Sequence, residues 1–180
     1  MNIPTITTDH LNLRPFTEDD TGSLHKILSE RDVLGYFPNP ESPPRDKVSK
    51  LITDQLCHWA EHAYGWWAVE ARLSNSLIGW CGLQYLPHTE EVEISYLLRK
   101  SCWGNGYATE AALACIRYGF ETMNLATIVA IVHPANGASR RVAEKLGMSF
   151  TYQAQYFEMD CCRYSIDHST FDLVNHNSGY

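Results

Sequence analysis

A glycine loop between a strand-like run and a helix-like run is the feature of this sequence best suited to chemistry. Residues 96–111 read YLLRKSCWGNGYATEA, with glycines at positions 104 and 106. Glycine lets successive backbone N–H groups converge on one point, and a helix N-terminus adds unpaired donors and the positive end of the helix dipole. The loop can therefore bind an anion such as a pyrophosphate, although two glycines could equally serve only a tight turn.

The spacing around the loop excludes two common phosphate-binding motifs. A P-loop requires GxxxxGK followed by Ser or Thr, and residues 96–111 do not contain it. The dinucleotide fingerprint requires a third Gly or Ala at the position that Thr109 occupies. The sequence thus indicates an anionic ligand other than ATP or NAD.

The elements that must hold this loop are predicted by apolar periodicity. Spacings of three and four residues predict four helices, which begin near Thr17, Val48, Tyr107 and Asn136. Short apolar runs predict six strands, namely Trp66–Ala71, Leu77–Tyr85, Val92–Leu98, Ile128–His133, Ser149–Phe157 and Arg163–Phe171. The first three form an antiparallel meander, and the helix between the third and the fourth predicts that these two strands are parallel.

These elements predict one α/β domain that spans residues 1–180. Its sheet is mixed and strongly bent, and the four helices flank it. The polar C-terminus, about six residues from position 175 onward, is expected to fray.

Composition limits the partners and the location of the protein. A formal net charge of −7 argues against nucleic-acid binding and favours a cationic partner. The N-terminus has no apolar leader and no later run approaches about 18 apolar residues, so we expect a cytoplasmic protein without a membrane span. The cysteines form no CxxC and the histidines no HExxH, so we expect no metal site. A monomer and a homodimer both remain open.

Two motifs carry a resemblance to a known family. The loop at 103–111, WGNGYATEA, resembles the coenzyme A loop of the GNAT superfamily of N-acetyltransferases, and most of all the branch that acetylates ribosomal-protein amino termini. The similarity continues through residues 133–148, HPANGASRRVAEKLGM, and the order of elements agrees from Leu11 to Phe171. Trp103 departs from the Arg or Gln that is usual in the family, a variation common in this branch.

The resemblance implies a GNAT-like acyl-CoA N-acyltransferase fold, in which the strands at 92–98 and 128–133 splay apart to admit acetyl-coenzyme A (acetyl-CoA). Loop N–H groups would hold the pyrophosphate, and the strand main chain and the Asn136 side chain would hold the pantetheine arm. A strand bulge near Leu97 would aim a backbone N–H at the thioester carbonyl. The implied cofactor-binding residues are Tyr96, Leu97, Leu98, Trp103, Gly104, Asn105, Gly106, Tyr107, Ala108, Thr109, Asn136 and Ser139.

By the same resemblance, three residues serve the transfer of acetyl to a primary amine by direct attack in a ternary complex. Glu93 is expected to be the general base, directly or through water. The alternative is a solvated strand carboxylate, which is how we interpret Glu91. Ser139 is expected to protonate the departing thiolate, with help from Tyr96. The alternatives are that Asn136 and Ser139 only cap a helix and that Tyr96 belongs to the core.

The implied acceptor is a protein or peptide N-terminal α-amino group. Its pKa of about 8 leaves more neutral amine near neutral pH than the pKa of about 10.4 of a lysine side chain. Two alternatives remain open, namely a small amine or aminoglycoside-like drug as the acceptor, and a non-catalytic acyl-CoA-binding regulatory module. Aromatic residues that could contact the acceptor, or could equally be core, are Tyr36, Phe37, Trp66, Tyr85 and Tyr156.

Overall fold

One eight-stranded sheet forms the centre of the fold. The structure is a computed structural model, and it describes residues 3–176. The strands are β1 (Ile6–Thr7), β2 (Leu11–Arg14), β3 (Trp66–Ala71), β4 (Ser76–Leu86), β5 (Glu91–Leu98), β6 (Thr127–Val132), β7 (Ser149–Tyr156) and β8 (Met159–Asp167). Their order is β1-β2-β3-β4-β5-β6-β8-β7. Every neighbouring pair is antiparallel except β5 and β6, which are parallel. The predicted mixed sheet with one parallel pair is confirmed.

Helices cover both faces of this sheet. They are α1 (Asp20–Leu28), α2 (Arg45–His62), α3 (Tyr107–Arg117), α4 (Gly137–Lys145) and a short C-terminal α5 (His168–His176). A 3₁₀ turn at Lys100–Cys102 precedes α3, and a π-helical turn at Tyr118–Thr122 extends it. The first four correspond to the four predicted helices.

Strand alternation divides the core between the two faces. Trp66, Trp80 and Leu97 are buried on one face together with apolar residues of α1 and α2. Trp67 and Cys81, their neighbours in sequence, are buried on the opposite face together with apolar residues of α3, α4 and α5. The alternation along β5 therefore sends successive side chains toward different helices.

The sequence did not predict the N-terminal strands β1 and β2. They comprise two and four residues, too few for a clear alternation pattern. Glu110 on α3 accepts hydrogen bonds from Thr8 Oγ1 (2.6 Å) and from the His10 backbone N–H (2.8 Å). This contact ties the turn between β1 and β2 to the helix that follows the glycine loop.

The predicted last strand, Arg163–Phe171, was wrong beyond Asp167. The Asp167 carboxylate accepts hydrogen bonds from the Thr170 backbone N–H (2.7 Å) and from Ser169 Oγ (2.6 Å), a capping arrangement that starts α5. Phe171 is buried on this helix, 5.1 Å from the Phe120 ring. Of the residues expected to fray, 175 and 176 belong to α5, and 177–180 lie outside the described residues.

The strand bulge expected near Leu97 is not present in β5. Each residue from Glu91 to Leu98 has a β4 partner in unbroken register. An irregularity lies one strand away, between β3 and β4 at Val69 and Glu70, and another lies between β7 and β8 at Phe150 and Tyr152. At the first of these, Gly79 has a φ of 153°, and a Cβ at this position would lie 1.9 Å from the Leu97 carbonyl oxygen. Pairing with β4 therefore continues along all of β5 without a bulge.

Candidate active site

A split between β5 and β6 opens the site. The two strands are paired at one position, Glu93 with Val129, and residues of β5 beyond it pair only with β4. Backbone groups on the other side of β5 therefore have no strand partner there and can bind a ligand. The split forms a cavity of about 670 Å³, whose walls also include the glycine loop, α4, the loop between α1 and α2, and the hairpin between β7 and β8.

The glycine loop has the geometry of an anion site at one end of this cavity. Gly104 and Gly106 have φ values of 79° and 82°, in the left-handed region. A Cβ added at either position would meet no heavy atom within 4 Å, so the space above the loop is open. Gly106 is the N-cap of α3, and no side chain caps this helix start. First-turn N–H groups of α3 thus lie beside the cavity, which Tyr107, Ala108 and Thr109 line.

Glu93 presents a buried carboxyl group to the same cavity. Its side chain is 8% exposed, and it stands opposite Gln84 of β4, another cavity residue. The pKa of Glu93 is raised to about 8, mainly by burial and to a smaller extent by the negative charge of Glu91. A hydrogen bond from the Ile131 backbone N–H opposes this rise. A group with a pKa near neutrality can accept a proton from a reacting molecule at physiological pH.

Tyr96 and Ser139 meet across the cavity. The Tyr96 hydroxyl lies 2.7 Å from Ser139 Oγ and 3.2 Å from the Ser139 carbonyl oxygen. Burial raises the pKa of Tyr96 well above its usual range, although the Ser139 hydrogen bond opposes this, so the phenol stays protonated at neutral pH. Asn136 caps α4, because its side chain accepts from the Ser139 backbone N–H at 3.0 Å. The Ser139 hydroxyl is therefore not needed for capping.

Sequence comparison places this geometry in a family. A family model described as an acetyltransferase (GNAT) domain matches residues 10–149. The chain belongs to the GNAT acetyltransferases. It is 35% identical over 160 residues to the uncharacterized protein YkkB of Bacillus subtilis, an alignment that covers 84% of this chain and 89% of that relative. Relatives named as N-acetyltransferases, such as YoaA of the same organism (29% identical), identify the protein as an acyltransferase.

Solved GNAT structures share its fold. An acetyltransferase from Agrobacterium tumefaciens superposes with a TM-score of 0.81 at 28% identity, over 92% of this chain and 95% of that one. RimL, an acetyltransferase of the ribosomal L7/L12 α-amino group solved in complex with coenzyme A, superposes with a TM-score of 0.80 at 16% identity. That superposition covers 93% of this chain and 99% of RimL. The split sheet is thus a GNAT sheet.

Two residues of the GNAT loop lie differently from the sequence-based expectation. The Trp103 backbone N–H donates to the Lys100 carbonyl (3.1 Å) and its indole N–H to the Leu98 carbonyl (2.7 Å), because the 3₁₀ turn folds the chain back there. Trp103 lines the cavity through its half-exposed ring, and its backbone N–H has another acceptor than a pyrophosphate. The Asn105 side chain donates to the Trp103 carbonyl (3.3 Å) and does not line the cavity.

Glu91 is not the solvated carboxylate that we expected. It accepts from Arg163 Nε at 2.7 Å and from the Tyr156 hydroxyl at 3.1 Å. Partial burial would raise the pKa of Glu91, but these hydrogen bonds, together with one from Thr89, hold it below its usual range. Glu91 therefore joins β5 to β8 as an ion pair. Among residues 3–176, no cationic side chain pairs with Glu93, two residues later.

The aromatic residues proposed for the acceptor divide into two groups. Tyr36, Phe37 and Trp66 line the cavity. Tyr85 does not, and it packs against the His62 ring at 5.1 Å, while Tyr156 is held by Glu91. Sequence reasoning did not identify several other lining residues, which come from the sheet and the last hairpin: Gln84, His133, Phe157, Met159 and Cys161. Strand register alone, by pairing Gln84 with Glu93, could have indicated the first of these.

Neither a metal cluster nor a membrane helix is found in residues 3–176. No group of three or more His, Cys, Asp and Glu side chains in this range could hold a metal ion. Within the same range, every helix is too short or too polar to cross a bilayer.

Replacing Glu93 with Gln should change how stability depends on pH. The carboxyl ionises near its ordinary value of 4.5 in the unfolded chain but near 8 in the fold. The folded state therefore favours the protonated form, and the stability of the wild type relative to Glu93→Gln should be greatest below pH 4.5 and decline as the pH rises through 8. Melting temperatures of both proteins across this range measure the difference. Parallel curves would contradict a buried Glu93.

Proposed function

We propose that this protein transfers the acetyl group of acetyl-CoA to a primary amine by direct attack in a ternary complex, with a peptide or protein α-amino group as the acceptor. The observation that carries the proposal is Glu93, a buried carboxyl group at the position where β5 and β6 pair, facing a cavity that begins at an anion-binding loop. The names of RimL and of a ribosomal-protein-S5-alanine acetyltransferase among the structural neighbours support a protein acceptor.

The residues present fit acetyl-CoA, which supplies the acetyl group as an activated thioester. The N–H groups of Gly104, Gly106 and the first turn of α3 would hold its pyrophosphate, since no side chain competes for that helix start. Beyond Glu93, the side of β5 that faces away from β4, at Tyr96 and the Leu98 N–H, would pair with the pantetheine arm, while the Leu98 carbonyl already accepts from the Trp103 indole. Lys145 lines the cavity and can approach a phosphate, whereas Arg140 donates to the Tyr164 hydroxyl (2.9 Å).

Acetyl-CoA should stabilise the fold, and Gly106→Val should abolish this effect. At about 100 times its Kd the ligand adds roughly 2.7 kcal/mol, whereas NAD and ATP should add much less. A Val side chain at 106 would enter the open space above the loop and would disfavour the φ of 82°. Thermal shifts measure both effects. Asn105→Ala is the matched control, because that side chain lies outside the cavity and its loss should preserve the shift.

Equal shifts with acetyl-CoA, NAD and ATP would contradict the cofactor assignment. A folded Gly106→Val protein with undiminished affinity for coenzyme A would contradict the role of the loop.

Glu93 would take the proton that the attacking nitrogen must lose. The Glu93 carboxylate takes a proton from the bound ammonium, directly or through one water, and the neutral nitrogen then bonds to the acetyl carbon and loses its second proton to solvent as the thiolate leaves. A buried carboxyl with a raised pKa is expensive for a fold, because raising a pKa by one destabilises the charged form by about 1.36 kcal/mol. A regulatory module that only bound acyl-CoA would have no use for such a group, so Glu93 favours the catalytic alternative.

Glu93→Gln should lower kcat at neutral pH by about 10²- to 10⁴-fold, the usual contribution of a general base. Raising the pH should restore part of the loss, because the amine then deprotonates without help. Thiol release from acetyl-CoA with a pool of amines provides the assay. A Glu93→Gln enzyme with wild-type kcat near pH 7 would show that the amine arrives neutral and that Glu93 is structural.

The thiolate that leaves needs a proton, which Ser139 and Tyr96 are placed to provide. Their hydroxyls are 2.7 Å apart, and the Tyr96 phenol is protonated at neutral pH. We propose that Ser139 donates its proton to the sulfur, that Tyr96 orients Ser139 and replaces this proton, and that a proton from solvent then restores the Tyr96 phenol.

Ser139→Ala should lower kcat by about 10²-fold with unchanged affinity for coenzyme A and little loss of stability, because Asn136 supplies the cap. Tyr96→Phe should lower kcat less, since the serine hydroxyl remains. Asn136→Ala is the matched control for capping and should cost about 1 kcal/mol of stability. A Ser139→Ala enzyme that loses stability but keeps its turnover would assign Ser139 to the helix alone.

A further inference from the structure

The acceptor end of the cavity lies on the sheet face that carries Glu93. Strand register places Trp66 opposite Gly82, Gly82 opposite Ser95, and Gln84 opposite Glu93. Directly opposed residues, and residues two apart on a strand, point to the same face. Gly82 has no side chain, and a Cβ there would lie 2.1 Å from the Gly65 carbonyl oxygen, so the β3 backbone approaches β4 closely at this position. Trp66, Gln84, Glu93 and Ser95 all line the cavity.

Aromatic side chains of the loop between α1 and α2 cover this face. Phe37 packs edge-on against Trp80 with ring centroids 6.2 Å apart, and Trp80 stacks on Trp66 at 4.7 Å. Tyr36 lies 5.5 Å from the His133 ring, which follows β6 directly. The loop therefore crosses the split from β4 to β6, and it lines the cavity with Tyr36 and Phe37.

The hairpin between β7 and β8 supplies another apolar wall. Its turn residues Phe157 and Glu158 have left-handed φ values of 52° and 63°, and Phe157 and Met159 line the cavity. Phe157 is 48% exposed, and Tyr36, which lines the same cavity, is 44% exposed. Exposed apolar side chains in the wall of a cavity are typical of a ligand site.

The charges in this cavity do not suit a polycation. Of the acidic residues that line it in the described part of the chain, Asp32 is paired with Lys100 Nζ at 2.7 Å, which leaves Glu93. Arg141 and Lys145 line the cavity as well. A polyamine or an aminoglycoside brings several positive charges, and each buried charge requires a partner. The net charge of −7 favoured a cationic partner, but the acidic residues that produce it are mostly outside this cavity.

We infer, resting on the proposed function, that the acceptor is a primary amine with an aromatic or similarly large apolar group next to the nitrogen. The nitrogen must lie beside Glu93 to lose its proton. The cavity that Glu93 lines is also lined by the Trp66 indole, the Tyr36 and Phe37 rings and the Phe157 ring. A peptide that begins with an aromatic residue meets these requirements, because its first side chain can pack between Tyr36 and Phe157 while its α-amino group meets Glu93.

Three peptides that differ only in their first residue, Phe, Ala or Lys, test the inference by thiol release from acetyl-CoA. The Phe peptide should exceed the other two in kcat/KM by about tenfold or more, as is usual for a well-filled apolar pocket. Tyr36→Ala and Phe157→Ala should each reduce this preference several-fold. Both rings are about half exposed, so the fold should tolerate their loss. Phe150→Ala is the matched control, since Phe150 is 51% exposed on β7 but does not line the cavity, and the preference should stay unchanged.

The possible outcomes separate the inference from the function on which it rests. Equal rates with all three peptides, a preference for the Lys peptide, or a Phe preference that survives both Tyr36→Ala and Phe157→Ala would overturn the inference and leave the acetyltransferase function in place. Binding of acetyl-CoA without thiol release to any amine would overturn the proposed function, and the inference with it.

Discussion

The site depends on the point at which β5 stops pairing with β6. Parallel strands normally exchange hydrogen bonds along their length, yet here Glu93 and Val129 form the one registered pair. Loss of the following pairs frees one side of β5 and leaves the space that becomes the cavity. Because β4 still pairs with each residue of β5, the strand stays in place although its other side has no strand partner beyond Glu93.

The split also decides which side chains meet the substrates. Glu93 and Tyr96 are three residues apart on β5, so they point to opposite faces of the sheet. Glu93 lies on the face of α1 and α2, with Trp66 and the aromatic loop, whereas Tyr96 reaches Ser139 on α4. A gap through the sheet lets both approach one bond. The proposed base and acid thus act from different sides, which keeps the proton taken from nitrogen apart from the proton given to sulfur.

Burial of Glu93 is the cost of this arrangement. Glu91, on the same strand, has an Arg163 partner and a depressed pKa, while Glu93 has none and a raised pKa. The surroundings thus shift the pKa values of two carboxyl groups on one strand face in opposite directions. Such a buried group without a counter-ion destabilises a fold, and its presence in a cavity is a sign of function.

The sequence predicted the parts of this structure that depend on local sequence patterns. Glycine spacing indicated the loop, periodicity located the four flanking helices and six of the strands, and the intervening helix indicated the parallel pair. Long-range contacts were not predictable: the Arg163 partner of Glu91 lies 72 residues away, and Phe157 enters the cavity only because a tight hairpin turns it inward. The end of β8 was missed because Asp167 caps α5, and this local hydrogen bonding ends the strand before His168.

The pH dependence of kcat for two amines of different basicity tests the central claim most directly. A peptide α-amine with a pKa of about 8 and an alkylamine with a pKa of about 10.4 serve as acceptors. If Glu93 removes the proton, kcat should rise with pH as Glu93 ionises in the ternary complex. The midpoint of this rise should lie near pH 8 with both amines. A midpoint that moves by about two pH units to follow the pKa of each amine would show that the acceptor loses its proton in solution, and it would contradict the assignment of Glu93 as the base.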